Sequence, residues 1–179
     1  WSAPAGGGYW EDLADVSATN TTTVSTSTFS AKKWLSIDIS ATGFDTGVRS
    51  DPNFMLNFQN DVYDDGNSYY SSQERNANDN FAVRTSQSTW YIGIGYNVLD
   101  ADSEFYCNST IMNYDVNTQL SFYQSNIFDG DAPTDTPFGM IGWGSYTNAQ
   151  ITKVTFASTG DGSSFGHFDN LHLRVSGHD

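Results

Sequence analysis

Short runs in which apolar and polar residues alternate dominate this sequence, and they constrain its fold more than any other feature. In residues 32–40, Leu35, Ile37 and Ile39 fall on one face and polar side chains fall between them. A period of two is that of a β-strand with one buried face. Turn-forming residues separate about ten such runs. The pattern predicts an all-β, two-sheet antiparallel β-sandwich of the jelly-roll type.

Two other runs give specific predictions about which side chains point inward. At 53–60, the alternation places Phe54, Leu56 and Phe58 on the inner face. At 167–177, it places the apolar residues 171, 173 and 175 inward. Phe168 has the parity of His172 and the polar residues around it, so it is predicted on the outer face with them.

Composition supports the same fold class and excludes several functions. Of the 21 acidic residues, 18 are Asp, a turn-forming residue, whereas the helix formers Glu and Lys occur three times each. The formal net charge of −14 disfavours binding to nucleic acids and to anionic membrane surfaces. The sequence contains no apolar run of about 18 residues, the length that membrane insertion as a helix requires.

The chain is predicted to be one domain with a short extension. Residues 1–8 form a Gly-rich arm, and residues 9–179 form a single β-sandwich domain. The single cysteine, Cys107, lies in an alternating run and is predicted to be a small buried apolar side chain.

Two acidic stretches are candidates for a calcium site. The first contains Asp61, Asp64 and Asp65, and the second contains Asp129 and Asp131. The first does not have the ligand spacing of a helix-loop-helix calcium site. Residues 65–67, Asp-Gly-Asn, are also typical of a hairpin turn. The turn is the favoured interpretation, no other cofactor is expected, and calcium remains an alternative.

The sequence offers no catalytic constellation. Hydrolysis of a glycosidic bond needs two carboxylates facing each other across a cleft, and no strand pattern supplies such a pair. His167 and His172 are five residues apart in one strand, so they fall on opposite faces and do not share a metal. The chain is therefore predicted not to be an enzyme.

Aromatic side chains on the polar faces of strands are the candidates for binding. The residues are Trp34, Tyr70, Tyr106 and Trp143. Exposed rings among Asn, Gln and Asp stack on sugars, but such rings are also covered by neighbouring subunits in an assembly. Both interpretations stay open. The sequons beginning at Asn20 and Asn108 are candidate glycosylation sites.

Four stretches occur in an order that resembles a known group of proteins. They are FSAKKWLSIDI (29–39), FQNDVYDDGNSYYSSQER (58–75), IGWGSYTNAQITKVTF (141–156) and LHLRVSGHD (171–179). In this order they resemble small β-sandwich structural proteins of tailed phages and archaeal viruses. The resemblance covers residues 29–179 and includes no catalytic motif.

The resemblance implies a non-enzymatic component of the virion surface, such as a capsid decoration, a fibre or a tail-associated module. Its partners would be further copies of the chain, other virion proteins and cell-surface glycans used for host adhesion. Two alternatives remain: a secreted carbohydrate-binding or lectin-like domain, and the repeating subunit of an extracellular filament.

Overall fold

A computed structural model describes residues 9–44, 53–58, 69–71, 74–75, 81–82, 90–94, 103–114, 119–128, 138–146, 150–159 and 167–179. These residues form thirteen β-strands and no helix, which confirms the all-β prediction. The strands are β1 (Glu11–Thr21), β2 (Thr23–Ser25), β3 (Trp34–Phe44), β4 (Asn53–Phe58), β5 (Tyr69–Ser71), β6 (Glu74–Arg75), β7 (Phe81–Ala82), β8 (Trp90–Ile94), β9 (Glu104–Met112), β10 (Gln119–Phe128), β11 (Phe138–Tyr146), β12 (Val154–Thr159) and β13 (Phe168–His178). The number exceeds the predicted ten, and four of the strands have only two or three residues.

The strands form two antiparallel sheets. The larger has nine strands in the order β1-β13-β3-β9-β10-β11-β6-β7, with β5 also paired to β11. The smaller has the order β2-β12-β4-β8. The first strand of the chain, β1, lies at one end of the larger sheet. Side chains from both sheets meet in one core, as in a β-sandwich.

Strands that follow one another along the chain lie at matching positions in the two sheets. Four neighbouring strands of the larger sheet are β1, β13, β3 and β9, and the smaller sheet is β2, β12, β4 and β8. When these two orders are compared, the strands at matching positions are consecutive along the chain: β1 and β2, β13 and β12, β3 and β4, and β9 and β8. The chain therefore crosses between the sheets at each of these four positions.

Alternation is regular from Leu35 to Ile39 of β3. Leu35 and Ile37 are fully buried, and Ile39 is 3% exposed. Asp38, on the other face of β3, is exposed. The predicted inward residues of β4 are also fully buried, but so are the two residues between them: Met55 is 2% exposed and Asn57 3%. The simple alternation predicted for β4 is therefore wrong on its outer face, because that strand is buried on both sides.

Five phenylalanines join the two sheets at the centre of the core. Phe54 of β4 lies against Phe105 of β9 with ring centroids 4.4 Å apart. Phe156 of β12 stacks on Phe105 at 5.6 Å and 19°. Burying one side chain of this size contributes about 1.5–3 kcal/mol to the stability of the folded protein. This cluster is therefore a main source of the stability that holds the two sheets together. Phe44 and Phe168 complete it.

One break in the alternation moves Phe168 into the core. Phe168 and Leu171 are three residues apart, which would place them on opposite faces of a regular strand, yet both are 1% exposed. The paired strand breaks at the same level, where Gly43 adopts a φ of 68°. Phe44 and Phe168 then meet with ring centroids 5.0 Å apart. The prediction of an outer position for Phe168 is wrong for this reason.

Candidate functional site

The outer face of the larger sheet carries polar side chains in rows that run across the strands. Antiparallel pairing places Arg174 of β13 opposite Asp38 of β3, and Asp38 opposite Asn108 of β9. Asn108 in turn lies opposite Gln124 of β10. Residues from four strands, far apart in sequence, thus stand side by side.

A second row lies next to the first. It contains Ser17, His172, Ser40, Tyr106 and Asn126, one from each of β1, β13, β3, β9 and β10. These positions alternate with buried residues on β13, β3 and β9, which is why they all face outward. The two rows together cover the middle of the sheet.

A depression of about 310 Å³ lies between the two rows, and we call it the groove. Its polar side-chain lining consists of Asp38, Ser40, Tyr106, Asn108, Gln124, Asn126 and His172. These residues supply one carboxylate, one aliphatic hydroxyl, three carboxamides, one phenol ring and one imidazole. The groove therefore presents several hydrogen-bond donors and acceptors beside a ring, with one formal negative charge.

Hydrogen bonds orient the polar groups of the groove. Asn108 Nδ2 donates to Asp38 Oδ1 at 2.6 Å, which fixes the orientation of that carboxamide. Tyr106 is 41% exposed, and its hydroxyl donates to Glu104 Oε2 at 3.2 Å. Loss of hydration, and then the nearby Glu104 carboxylate, raise the pKa of Tyr106, so the phenol stays neutral at physiological pH.

Two basic side chains near the groove, Arg174 and His172, contact carboxylates of β1. Arg174 donates to Asp12 Oδ1 from Nε at 3.1 Å and from Nη2 at 2.5 Å. The hydrogen bond and the charge of Arg174 lower the pKa of Asp12, and Asp12 raises the pKa of Arg174. His172 Nε2 lies 2.7 Å from Asp15 Oδ1. The guanidinium of Arg174 is already matched by the carboxylate of Asp12, so the groove does not favour an anionic ligand.

The predicted aromatic contacts occupy different parts of the structure. Tyr106 lies in the groove. Trp34 is half-buried and lies at the end of β3, opposite Met112. Tyr70 pairs with Ser145 in β5 and β11, and Trp143 pairs with Phe122 in β11 and β10; the side chains of Tyr70 and Trp143 lie outside the described part. Of the predicted rings whose side chains are described, the structure places Tyr106 in the groove and Trp34 outside it.

Trp34 belongs to a separate surface, which we call the apolar strip: Trp10, Trp34, Met112 and Tyr114. Trp34 meets Tyr114 edge to face at 6.1 Å. Exposure is 49% for Trp10, 36% for Met112 and 38% for Tyr114. Trp10 packs on His178 at 5.7 Å, and His178 pairs with Trp34. The strip therefore extends across the ends of β13, β3 and β9.

The calcium hypothesis is not tested by the structure. Asp61, Asp64, Asp65, Asp129 and Asp131 all lie outside the described residues. Within the ranges that are described, no group of three or more His, Cys, Asp or Glu side chains is arranged to hold a metal ion.

The two sequons differ in their surroundings. Asn20 is exposed near the end of β1, with a φ of 50°. Asn108 lies in the middle of β9, with its carboxamide held by Asp38. A glycan attached to Asn108 would occupy the groove. A molecule modified at this residue could therefore not bind a ligand there. Modification of either residue stays a prediction.

Sequence reasoning missed most of the groove. The sequence pattern marks Asn108 as a candidate glycosylation site but does not bring it together with Asp38, Ser40, Gln124 or Asn126. The sequence feature that these residues share is that each is a polar residue at an outward position of its strand. It becomes visible only once strand order and register are known.

No helix in the described ranges is both long and apolar enough to cross a membrane. Comparison of the chain with protein-family models and with curated proteins gave no match.

Proposed function

We propose that this protein is a non-enzymatic glycan-binding β-sandwich and that the groove is its binding site. The observation that carries the proposal is the row formed by Asp38, Asn108 and Gln124, with the exposed ring of Tyr106 beside it. Carboxamides and carboxylates bind neighbouring sugar hydroxyls, since they offer both donors and acceptors. An aromatic ring packs against the apolar face of a pyranose.

Charge narrows the class of glycan to neutral sugars. Asp38 contributes a negative charge to the groove, and the chain has a formal net charge of −14. Both repel uronic acids, sialic acids and sulfated sugars. The guanidinium of Arg174, which could have offset this repulsion, is held by Asp12.

The groove supports binding rather than hydrolysis. Glycoside hydrolases place two carboxylates on either side of the scissile bond. Among the residues known to line the groove, Asp38 supplies the one carboxylate, and it already accepts a hydrogen bond from Asn108.

The strand order supports a jelly roll as the finer description of the fold. In a jelly roll, strands that are consecutive along the chain lie at matching positions of two four-stranded sheets. The four pairs between the larger and smaller sheets have this relationship. Jelly rolls occur in lectins and in viral capsid proteins, so the fold is compatible with glycan binding.

A glycan array followed by calorimetric titration tests the proposal. The protein is produced in a bacterial host that does not modify Asn108. We expect binding to neutral glycans, and we expect Asn108→Ala or Gln124→Ala to weaken it by about tenfold, the effect of losing one or two hydrogen bonds. Thr110→Ala, an exposed change on the same strand outside the groove, is the matched control.

Two results would overturn the proposal. One is the absence of binding to every neutral glycan tested. The other is an affinity for the array's best glycan that Asn108→Ala, Gln124→Ala and Tyr106→Ala all leave unchanged.

The apolar strip favours a second candidate function, a self-assembling structural component on the surface of a virus particle or in an extracellular filament. Four large apolar side chains grouped at one end of a sheet are typical of surfaces that a partner covers. Trp10 and Tyr114 show the exposure that such an interface would bury. The sequence resemblance to phage and archaeal virus proteins points to the same function.

Size-exclusion chromatography with light scattering tests this second function. Assembly through the apolar strip predicts oligomers that Met112→Lys dissociates. Thr110→Lys adds the same charge two residues away on β9 and should leave the oligomers intact. A monomer at every concentration, or equal effects of the two substitutions, would count against assembly through this surface.

A further inference from the structure

A second depression on the outer face of the larger sheet adjoins the groove. It has a volume of about 160 Å³ and is lined by Ser17, Thr19, Ser40, Thr42, Asn170 and His172. Ser40 and His172 also line the groove. The two depressions therefore meet at these two residues, and a ligand in one reaches the boundary of the other.

The shared row shows the direction in which the combined site extends. Ser17, His172, Ser40, Tyr106 and Asn126 lie opposite one another across five strands. Four intervals between neighbouring strands, each about 4.8 Å, give a length of roughly 19 Å. This line crosses the strands and runs from β1, beside the second depression, to β10, beside the groove.

The second depression has a different chemistry from the groove. Its polar lining consists of hydroxyl groups, the carboxamide of Asn170 and the imidazole of His172. Its known lining residues include no carboxylate and no Phe, Tyr or Trp ring. Asn170 Nδ2 donates to Thr42 Oγ1 at 3.4 Å, a long contact that a ligand hydroxyl can replace at little cost. Asp15 holds the His172 ring at the boundary.

We propose that the site binds a linear neutral oligosaccharide that lies across the strands, with one part in the groove and the next part in the second depression. This inference rests on the proposed glycan-binding function and adds the size and direction of the ligand. The groove, with its ring and its charged acceptor, is the primary subsite. The second depression holds further sugar units through hydroxyl and carboxamide contacts.

Titration calorimetry with cello-, manno- and laminari-oligosaccharides of different length tests the inference. For the series that binds, we expect affinity to rise up to about three or four sugar units, the number that a row of roughly 19 Å accommodates, and then to level off. Asn170→Ala and Thr19→Ala, both at exposed positions, should weaken tetrasaccharide binding several-fold and leave disaccharide binding unchanged. Asn108→Ala should weaken both.

The possible failures are distinct. If disaccharides and tetrasaccharides bind equally well, or if Asn170→Ala and Thr19→Ala leave tetrasaccharide affinity unchanged while Asn108→Ala lowers it, the extended site is wrong and the glycan-binding function stands. If none of these oligosaccharides binds although the glycan array yields a neutral ligand, the extended site is wrong; if the array yields no neutral ligand either, both are overturned. Thermal melting of each variant shows that a lost affinity does not reflect a lost fold.

Discussion

The side chain of Asn113 pairs with the backbone of Ile151 as one peptide group pairs with another. Its Oδ1 accepts a hydrogen bond from the Ile151 N–H at 2.7 Å, and its Nδ2 donates to the Ile151 carbonyl at 3.0 Å. The same Nδ2 donates to the Lys32 carbonyl at 2.9 Å. Asn113 is fully buried and follows β9, whereas Ile151 precedes β12. One side chain thus joins segments that lead to different sheets.

Replacing Asn113 should therefore destabilise the protein more than an ordinary polar substitution. Asn113→Ala leaves the Ile151 N–H and two carbonyl groups without these partners, and each buried orphan costs about 1–3 kcal/mol. We expect a loss of about 3 kcal/mol, which corresponds to a fall of roughly 6–12 °C in Tm for a chain of this size. Differential scanning calorimetry measures it.

Thr110→Ala is the matched control for this prediction because it truncates an exposed side chain on the adjoining strand. It should change Tm by no more than a degree or two. A Tm for Asn113→Ala equal to that of the control would show that the buried hydrogen bonds do not contribute to stability.

Gly43 should be intolerant of a side chain for two separate reasons. Its φ of 68° lies in the left-handed region, which costs an L-residue about 1–2 kcal/mol. A Cβ there would also lie 2.8 Å from the Cβ of Asp169. Gly43→Ala should lower Tm by at least roughly 2–8 °C, as measured by thermal melting.

Gly43→Asn separates the two reasons, because asparagine tolerates the left-handed conformation but still has a Cβ. If the backbone conformation dominates, Gly43→Asn is more stable than Gly43→Ala. Equal losses would assign the effect to the contact with Asp169. An alanine variant as stable as the wild type would contradict both reasons.

The accuracy of the sequence-based predictions follows from how local each signal is. The burial of Leu35, Ile37 and Ile39 was predictable because alternation is a property of one strand. The inward position of Phe168 was not, since it depends on the left-handed conformation of Gly43 on the paired strand. Asp38 and Asn108 are 70 residues apart along the chain, so their contact depends on strand order and register, which periodicity does not specify.

Cys107 should be inert toward thiol reagents in the folded protein. It is 4% exposed, and burial, followed by the charge of Asp38, raises the pKa of its thiol far above the ordinary value. The reactive thiolate is thus both scarce and inaccessible. Mass spectrometry after iodoacetamide treatment should show no modification of the native protein and one in denaturant.

Thr110→Cys, at an exposed position on the same strand, provides the control and should be labelled without denaturant. Rapid labelling of native Cys107 would contradict its buried position.

The pair formed by Asp12 and Arg174 should contribute to stability at neutral pH and lose that contribution in acid. The hydrogen bond with Arg174 and its charge lower the pKa of Asp12 below the ordinary 3.8. A carboxyl group with a lower pKa in the folded state stabilises the protein above its unfolded pKa, and this contribution disappears as pH falls through the folded value. Asp12→Asn should therefore lower Tm near pH 7. The effect should be slight, because the pair is exposed and screened by solvent. The difference in Tm from wild type should vanish once pH is below the folded pKa of Asp12.

Asp169→Asn removes the same charge at another exposed position and is the control. Thermal melts across this pH range test the prediction, and a difference between wild type and Asp12→Asn that persists or grows in acid would show that the ion pair is not its cause.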